Sequence, residues 1–334
     1  MFCPDRYTSY ALYRLPFADE VCAIGSFSDA GAALTDRAFI MLPFDESSHA
    51  RIVITPDEEF TLRYDDIASA DAPSSLTLST DRSGYDRAFS AFHEAVQSRF
   101  PKLVLSRSVQ GSYAGHPLQA FVRACITYPR TMVYLAYTPS IGYWIGSTPE
   151  ILLSGSKTHY RTVALAGTMT SEGEWSQKNR REQAIVADYV RSVITPLSSV
   201  VEEEGPFTSH AGHLLHLKTE FHFTPRRDVP ITEFIRRLQP TPAVCGLPKD
   251  EAQRFILAHE GYDRQYYSGV VGMYDPHGDT NLYVNLRCAS ILDGKATIYV
   301  GGGILPESTL ESEYQETESK MQTICSVLRP TPSN

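Results

Sequence analysis

The order of apolar and polar residues along the chain predicts short strands first, and then a mixture of strands and helices. Residues 1–80 hold β-like runs such as RIVITPDEEFTLRY, each broken by Asp, Ser or Pro. From Tyr85, the stretch YDRAFSAFHEAVQSRF carries apolar residues at helical spacing and ends before Pro101. The next segment, KLVLSRSV, predicts a strand, and PLQAFVRACITYP is typical of a helix.

The middle of the chain continues with strands and then turns helical. Strands are predicted for the segments MVYLAYTP, GYWIGSTPE, ILLSGS and RTVALAGT. A long helix is predicted for SQKNRREQAIVADYVRSVI, with Ser176 as its N-cap and Pro196 just past its end. The segment LLHLKTEFHF follows as a strand candidate, and two shorter helices are predicted around ITEFIRRL and DEAQRFILAHE.

The C-terminal third returns to strands, predicted for YSGVVGMYD, TNLYVNLRCASIL and ATIYVGGGI, before a final helix. The dipeptide Asp293-Gly294 predicts a hairpin between the last two strands. Strands thus come in runs and helices in blocks, without the strict alternation of a parallel sheet. This order predicts an α+β fold with helices layered on large, mainly antiparallel sheets, as one domain over residues 1–334.

Composition narrows the classes of protein that the chain can represent. The 334 residues are 42% hydrophobic, and the formal net charge of −9 argues against nonspecific nucleic-acid binding, which needs basic surface. No apolar run approaches the roughly 20 residues of a membrane helix, and the N-terminus lacks the pattern of a signal peptide. The six cysteines are scattered without a C-x-x-C pair, which favours a reducing compartment. We therefore expect a cytoplasmic protein without nucleic-acid or membrane partners.

The segment IYVGGGILPESTLESEYQETESK places three consecutive glycines shortly before a run of glutamates. On a helix, Glu313, Glu316 and Lys320 share one face, which in an isolated helix usually means a solvated face with a Glu–Lys pair. The bare backbone of residues 301–303, however, is typical of an anion-binding nest. Acidic side chains beside such a nest, with Glu182 on another helix, repel an anion unless a cation lies between them. We therefore hypothesise a carboxylate ligand carried on Mg²⁺, which prefers oxygen ligands.

Nine segments in order resemble the chorismate-utilising enzymes, a family that includes isochorismate synthases, salicylate synthases, and the large subunits of anthranilate and aminodeoxychorismate synthases. They are KLVLSR, GSTPEILL, ALAGT, KNRREQAIV, QPTPAVCGLP, YDRQYYSGVVG, NLRCA, GGGI and EYQETESK. The resemblance runs from Lys102 to Lys320 and implies a chorismate-binding fold like that of the anthranilate synthase large subunit. It also implies a catalytic core over residues 84–327 and a variable part over residues 1–80.

Three positions bear on the chemistry that the resemblance implies. Lys102 matches the lysine that activates water in the members that add water to C2 of chorismate, and a lysine acts as a base only when it is partly deprotonated. Glu150 resembles the general acid that protonates the departing C4 hydroxyl, so its pKa should be raised by desolvation. Ala166 stands where aminodeoxychorismate synthases carry a nucleophilic lysine, so the resemblance excludes that branch.

The resemblance also implies the residues that bind metal and substrate. Glu182 and Glu316 match direct Mg²⁺ ligands, and Glu313 is near enough to act through water. The residues implied to contact chorismate are Gly167, Thr168, His216, Tyr267, Arg287, Gly301, Gly303 and Lys320. Among these, Arg287 and Lys320 would pair with carboxylates, and the two glycines of the nest would donate N–H groups. His216 has no second histidine at ligand spacing, so a structural role stays open for it.

Some positions depart from the family pattern. Gln183 and Gln239 stand where many relatives have histidine, and GTMTSEG lacks the basic residues that many relatives show. None of these changes touches the implied acid, base or metal ligands, so we interpret them as tuning. The short N-terminal region, residues 1–80, lacks the feedback motif of anthranilate synthases. We therefore expect that the chain has no glutaminase subunit and is a monomer.

The resemblance therefore implies an isochorismate synthase, which interconverts chorismate and isochorismate with Mg²⁺ for menaquinone or siderophore biosynthesis. A salicylate synthase, which shares Lys102 and Glu150 but goes on to expel pyruvate, stays open as an alternative. The block PTPAVCG favours the synthases that stop at isochorismate. A noncatalytic chorismate-binding protein is the alternative from another class, although binding alone does not need that acid and base.

Overall fold

The computed structural model describes residues 2–67, 74–169, 171–211 and 214–329. Within these ranges the helices are α1 (Ser83–Ser98), α2 (Pro117–Thr127), α3 (Gln177–Ile194), α4 (Ile231–Leu238), α5 (Lys249–His259) and α6 (Leu310–Leu328). Strands of the first half are β1 (Ser9–Arg14), β2 (Val21–Ser26), β3 (Ala38–Leu42), β4 (Ile52–Ile54), β5 (Glu58–Leu62), β6 (Ser75–Leu78), β7 (Lys102–Ala114), β8 (Met132–Thr138), β9 (Gly142–Thr148) and β10 (Ile151–Ser156). Strands of the second half are β11 (His159–Met169), β12 (Ser198–Ala211), β13 (Leu214–Pro225), β14 (Gly246–Leu247), β15 (Val270–Tyr274), β16 (Asp279–Val284), β17 (Cys288–Leu292) and β18 (Lys295–Ile304).

The predicted α+β architecture is confirmed. A ten-stranded sheet has the order β14-β7-β18-β17-β9-β8-β1-β2-β5, with β6 paired to β7 beside this path, and an eight-stranded sheet has the order β12-β13-β11-β10-β16-β15-β3-β4. The strand pairs in both sheets are antiparallel. Strands from residues 1–80 enter both sheets, because β1, β2, β5 and β6 belong to the first and β3 and β4 to the second.

The buried apolar residues form one core between the two sheets and further cores between the sheets and the helices. Phe39, Tyr134, Trp144 and Tyr283 pack together between the two sheets, and each is buried. Helices α2 and α6 cover one part of the ten-stranded sheet, α1 and α5 cover another part, and α3 and α4 cover the eight-stranded sheet. No helix in the described ranges is both long and apolar enough to cross a membrane.

Several local predictions hold because short-range chemistry specifies them. Ser176 caps α3, its side chain accepting the N–H of Asn179 at 3.1 Å, and the helix ends at Ile194, before Pro196. The turn between β17 and β18 has positive φ at both Asp293 (50°) and Gly294 (71°), as a type I′ hairpin requires.

The prediction of a single strand over TNLYVNLRCASIL was wrong. This segment forms β16 in the eight-stranded sheet and β17 in the ten-stranded sheet, and Arg287 lies at the crossing with φ 48°. The chain crosses in the same way from β9 to β10, and Glu150 lies at that crossing. The two crossings bond to each other, because Ser147 N–H donates to Arg287 O at 3.1 Å and Val284 N–H donates to Glu150 O at 2.9 Å.

Candidate active site

The two crossings open a pocket at the end of the sandwich where most of the predicted site residues meet. Its lining includes Glu150, Gly167, Glu182, His216, Tyr267, Arg287, Gly301, Gly303, Glu316 and Lys320. The predicted residues Lys102 and Glu313 lie just behind this lining, each in contact with a charged neighbour. Thr168 belongs to β11, and its side chain lies outside the described part of the chain.

Strands β7 and β18 place the lysine beside the glycines. Their antiparallel register pairs Val104 with Gly303 and Leu103 with Ile304, so the first residue of β7, Lys102, lies at the same end. Lys102 is fully buried, and its Nζ lies 2.9 Å from Oε1 of Glu182 on α3. This contact is an ion pair without the geometry of a directed hydrogen bond.

The glycine segment is bare because acidic side chains occupy the space beside it. A Cβ on Gly303 would overlap Oε1 of Glu182, and a Cβ on Gly302 would lie 3.4 Å from Glu316 Oε1 and 3.6 Å from Glu313 Oε2. Glycine at these positions therefore lets carboxylates from α3 and α6 approach the backbone of β18.

Each of the three glutamates is matched by a lysine. Besides the pair of Lys102 with Glu182, Lys178 Nζ lies 2.5 Å from Glu313 Oε1, and Lys320 Nζ lies 2.7 Å from Glu316 Oε1. Lys320 also donates to the carbonyl of Gly301 at 3.0 Å. The carboxylates and their lysines thus balance in charge within the site.

The donor set fits Mg²⁺ by its chemistry, since carboxylate oxygens are the ligands that this ion prefers. In the present arrangement the glutamates are paired with lysines, and the described residues hold no group of three histidine, cysteine or acidic side chains in metal-ligand geometry. The assignment of Glu182, Glu316 and Glu313 to Mg²⁺ therefore stays a prediction.

Glu150 has the environment that the sequence predicts for a general acid. Only 3% of the residue is exposed, and Thr241 donates a hydrogen bond to Oε1 at 3.3 Å. Burial raises the pKa of Glu150 to about 7, although Lys102 and the bond from Thr241 act in the opposite direction. A carboxyl with this pKa is partly protonated near neutral pH, so it can give a proton as well as accept one.

His216 connects the backbone of β11 to Arg287. Its Nδ1 lies 2.8 Å from the carbonyl of Gly167, and its Nε2 lies 3.0 Å from Nη2 of Arg287. Burial and the positive charge of Arg287 lower the pKa of His216 to about 3, so the ring is neutral. The ring therefore donates through Nδ1 to Gly167 and accepts through Nε2 from Arg287, which orients the guanidinium. Burial also lowers the pKa of Arg287 to about 10.

The departures from the family pattern have structural partners. Gln183 Nε2 donates to Ala164 O and Thr219 Oγ1, both at 3.0 Å, which ties α3 to two strands of the eight-stranded sheet. Gln239 Nε2 donates to Pro43 O at 2.7 Å.

Two residues of this site were missed in the sequence analysis. Lys178 lies one helical turn before Glu182, a spacing that places both side chains on one face of α3. Thr241 belongs to the segment QPTPAVCGLP, where its hydroxyl could have been proposed as a partner for a buried acid. Neither signal is specific by itself, because the partners Glu313 and Glu150 are distant in sequence.

The chain is similar to several known proteins. The sequence profile described as chorismate binding enzyme matches residues 61–329. The putative isochorismate synthase MenF of Mycobacterium tuberculosis is 32% identical over 254 residues, which cover 68% of this chain and 67% of that protein. The isochorismate synthase DhbC of Bacillus subtilis is 32% identical over 195 residues, covering 54% of this chain and 49% of that protein. The chain spans about half the length of several curated relatives that it matches.

A solved structure supports the fold. The menaquinone-specific isochorismate synthase MenF of Escherichia coli superposes with a TM-score of 0.85 at 19% identity, covering 97% of this chain and 89% of that one. At this identity the likeness concerns the fold alone.

Proposed function

The chain belongs to the family of chorismate binding enzymes, and we propose that it is an isochorismate synthase that interconverts chorismate and isochorismate. The observation that carries this proposal is the placement of a buried lysine and a buried acid at one pocket. The pKa of Glu150 is about 7, and the positive charge of Lys102 lowers it against the effect of burial, so the two groups act on each other. A site that only binds chorismate has no need of such a pair.

The proposed reaction removes one proton from the attacking water and gives one proton to the leaving hydroxyl. Lys102, in its neutral form, takes a proton from water as the water oxygen bonds to C2. The ring double bond shifts, the bond between C4 and its oxygen breaks, and Glu150 gives its proton to the leaving hydroxyl, which departs as water. The pair ends with Lys102 protonated and Glu150 ionised, and this is the state from which the reverse reaction starts.

Binding residues orient the substrate for this exchange. Arg287, held by His216, and Lys320, held at the carbonyl of Gly301, would face the carboxylates of chorismate. Glu182 and Glu316 would hold Mg²⁺, with Glu313 acting through water. When bound, this ion would neutralise the ring carboxylate and fix its position. The burial of the pocket strengthens each of these interactions.

The test is to incubate the purified chain with chorismate and Mg²⁺, without ammonium, and to separate the products by chromatography. We expect a mixture of chorismate and isochorismate that stops at equilibrium and does not form in the presence of a chelator. Continued formation of salicylate and pyruvate would assign the chain to the salicylate synthases instead. Absence of turnover with chorismate bound would contradict the proposal and favour a binding protein.

A further inference from the structure

A second cavity, of about 480 Å³, lies beside the candidate active site and shares part of its wall. Pro149, Leu165 and His216 line both the second cavity and the active-site pocket. Of the remaining lining, Phe17 and Arg130 lie in the loops before β2 and β8 of the ten-stranded sheet, and Arg161 and Lys218 lie on strands of the eight-stranded sheet. The cavity therefore occupies the gap between the sheets at the same end of the sandwich.

Two cations of the eight-stranded sheet point into this gap. Arg161, Val163 and Leu165 alternate along β11 and so lie on one face of the sheet. That face is the inner one, because Val163 packs in the core between the sheets. Lys218 on β13 is directly opposite Leu165, so its side chain lies on the same face. A charged residue on an inner sheet face is costly unless a counter-charge reaches it.

The described part of the lining is cationic and contains no acidic residue. Arg130, Arg161 and Lys218 line the cavity together with His210. Glu220 lies outside the lining and forms an ion pair with Lys218. Burial raises the pKa of Glu220, but Lys218 and then Arg161 lower it more strongly, so this carboxylate is ionised and shared between the two cations. The described lining itself thus carries three cations and no carboxylate, which suits an anionic ligand.

The rest of the chain makes this local charge significant. The net charge of −9 repels a dianionic substrate at long range, so an approach to the active site needs a region of opposite sign. Only the cavity wall separates such a region from the pocket, and His216 in that wall contacts Arg287 on the other side at 3.0 Å. The imidazole of His216 would thus lie between a ligand in the cavity and Arg287, the arginine proposed to face the substrate.

We propose that this cationic cavity is a second binding site for small dicarboxylates, and that it collects the dianionic substrate before transfer into the active site. The role in substrate capture rests on the proposed function, whereas the binding of a dicarboxylate does not. Arg161 and Lys218 bind the carboxylates, and Arg130 at the exposed rim attracts them. None of the three takes part in the chemical step.

Binding stoichiometry gives the first test. Isothermal titration of the Lys102→Gln variant with chorismate and Mg²⁺ should show two sites per chain, the weaker of which is lost as KCl is raised. The double variant, with Arg161→Gln in addition to Lys102→Gln, should keep only the tighter site, with unchanged affinity. Arg226→Gln removes the same charge from an exposed position after β13 and should keep both sites. A single site in Lys102→Gln, or equal loss of the weaker site in the Arg226 control, would overturn the proposal.

Kinetics test the role in capture. In the otherwise natural chain, Arg161→Gln should lower kcat/KM for chorismate about tenfold at low ionic strength while kcat is retained, and the difference should disappear at high salt. Lys218→Gln should act in the same direction, which guards against a folding defect in one variant. An unchanged kcat/KM in both variants would overturn the capture role.

Succinate separates a failure of this inference from a failure of the proposed function. Succinate has two carboxylates but no ring to react, and its binding to the natural chain should weaken about tenfold in Arg161→Gln. If chorismate is not converted but succinate binding still depends on Arg161, the function is wrong and the dicarboxylate site stands. If chorismate is converted but the affinity for succinate is the same in Arg161→Gln as in the natural chain, the cavity is not a dicarboxylate site.

Discussion

Lys102 and Glu182 form a buried ion pair, with 2.9 Å between Nζ and Oε1. The pair joins the proposed base to a proposed metal ligand. The proposed base and a proposed metal ligand are therefore in direct contact in this fold.

Replacing Lys102 tests the assignment of the base. We expect Lys102→Gln to lower kcat by at least about a hundredfold, because the substitution removes the amine that is proposed to take the proton of the attacking water. Chorismate should still bind, since the amide keeps most of the side-chain volume. The measurement is the rate of isochorismate formation beside the affinity for chorismate, with the exposed Lys295→Gln as the control. Substantial residual turnover would remove the lysine from its role.

The pH profile should reflect the proton that the acid and the base share. The forward reaction needs protonated Glu150 and neutral Lys102. The reverse reaction needs ionised Glu150 and protonated Lys102. In both directions, therefore, the two side chains together hold one exchangeable proton. Because the pKa of Glu150 is about 7, a second proton binds below that pH. We expect kcat/KM to fall about tenfold per unit below pH 7.

The two directions supply an internal control for this profile. Conversion of chorismate to isochorismate releases no net proton, so kcat/KM measured with either substrate should have the same pH dependence. A flat profile between pH 5.5 and 7 in both directions would contradict the assignment of Glu150.

Ionisation of Glu150 should lower the stability of the folded chain as the pH rises. The pKa of Glu150 is raised in the folded chain from 4.5 to about 7, so ionisation opposes folding. This penalty is absent below about pH 4.5 and complete above about pH 7, where it amounts to about 3 kcal/mol. Glu150→Gln should therefore be more stable than the natural chain at pH 8 and lose most of that advantage at pH 5. Urea unfolding at both pH values measures the difference, and an equal effect at both would refute it.

Removal of a proposed metal ligand should resemble removal of the metal. We expect Glu316→Ala to lose most activity, with little rescue by excess Mg²⁺, and the natural chain to lose activity with a chelator and regain it with Mg²⁺. Glu311→Ala, on the exposed side of the same helix, is the matched control. Natural rates in the presence of the chelator would contradict the metal assignment.

Lys178 should compete with a divalent cation for Glu313. The two side chains lie 2.5 Å apart, and Glu313 is 1% exposed, so Lys178→Met leaves a buried carboxylate without its counter-charge. In chelator we expect the variant to be less stable by about 2 kcal/mol. With Mg²⁺ it should be stabilised more than the natural chain, with about tenfold tighter binding of the ion.

Thermal unfolding with chelator and across a Mg²⁺ series measures both effects of this substitution without reference to activity. Lys178→Arg keeps the charge and should behave like the natural chain. A Mg²⁺ affinity in Lys178→Met that is unchanged or weaker would mean that the lysine positions Glu313 and does not compete with the ion.

Local patterns in the sequence were sufficient for most of the elements. The helical spacing after Tyr85, the cap at Ser176 and the Asp293-Gly294 turn depend on residues within a few positions, and each forms as predicted. The strand prediction failed over TNLYVNLRCASIL because its apolar pattern continues through the crossing. Its flanks pair with different sheets, and only that pairing forces Arg287 into a positive φ.

The sequence by itself determined the fold class, the family and the residue types of the site, because period, caps, turns and ordered motifs are local properties of the chain. The tertiary structure decided which charges meet. Lys178 reaches Glu313 across 135 positions, and Thr241 reaches Glu150 across 91. The raised pKa of Glu150 was expected, but the structure alone identifies its surroundings, because burial and partner distances depend on elements that are remote in sequence.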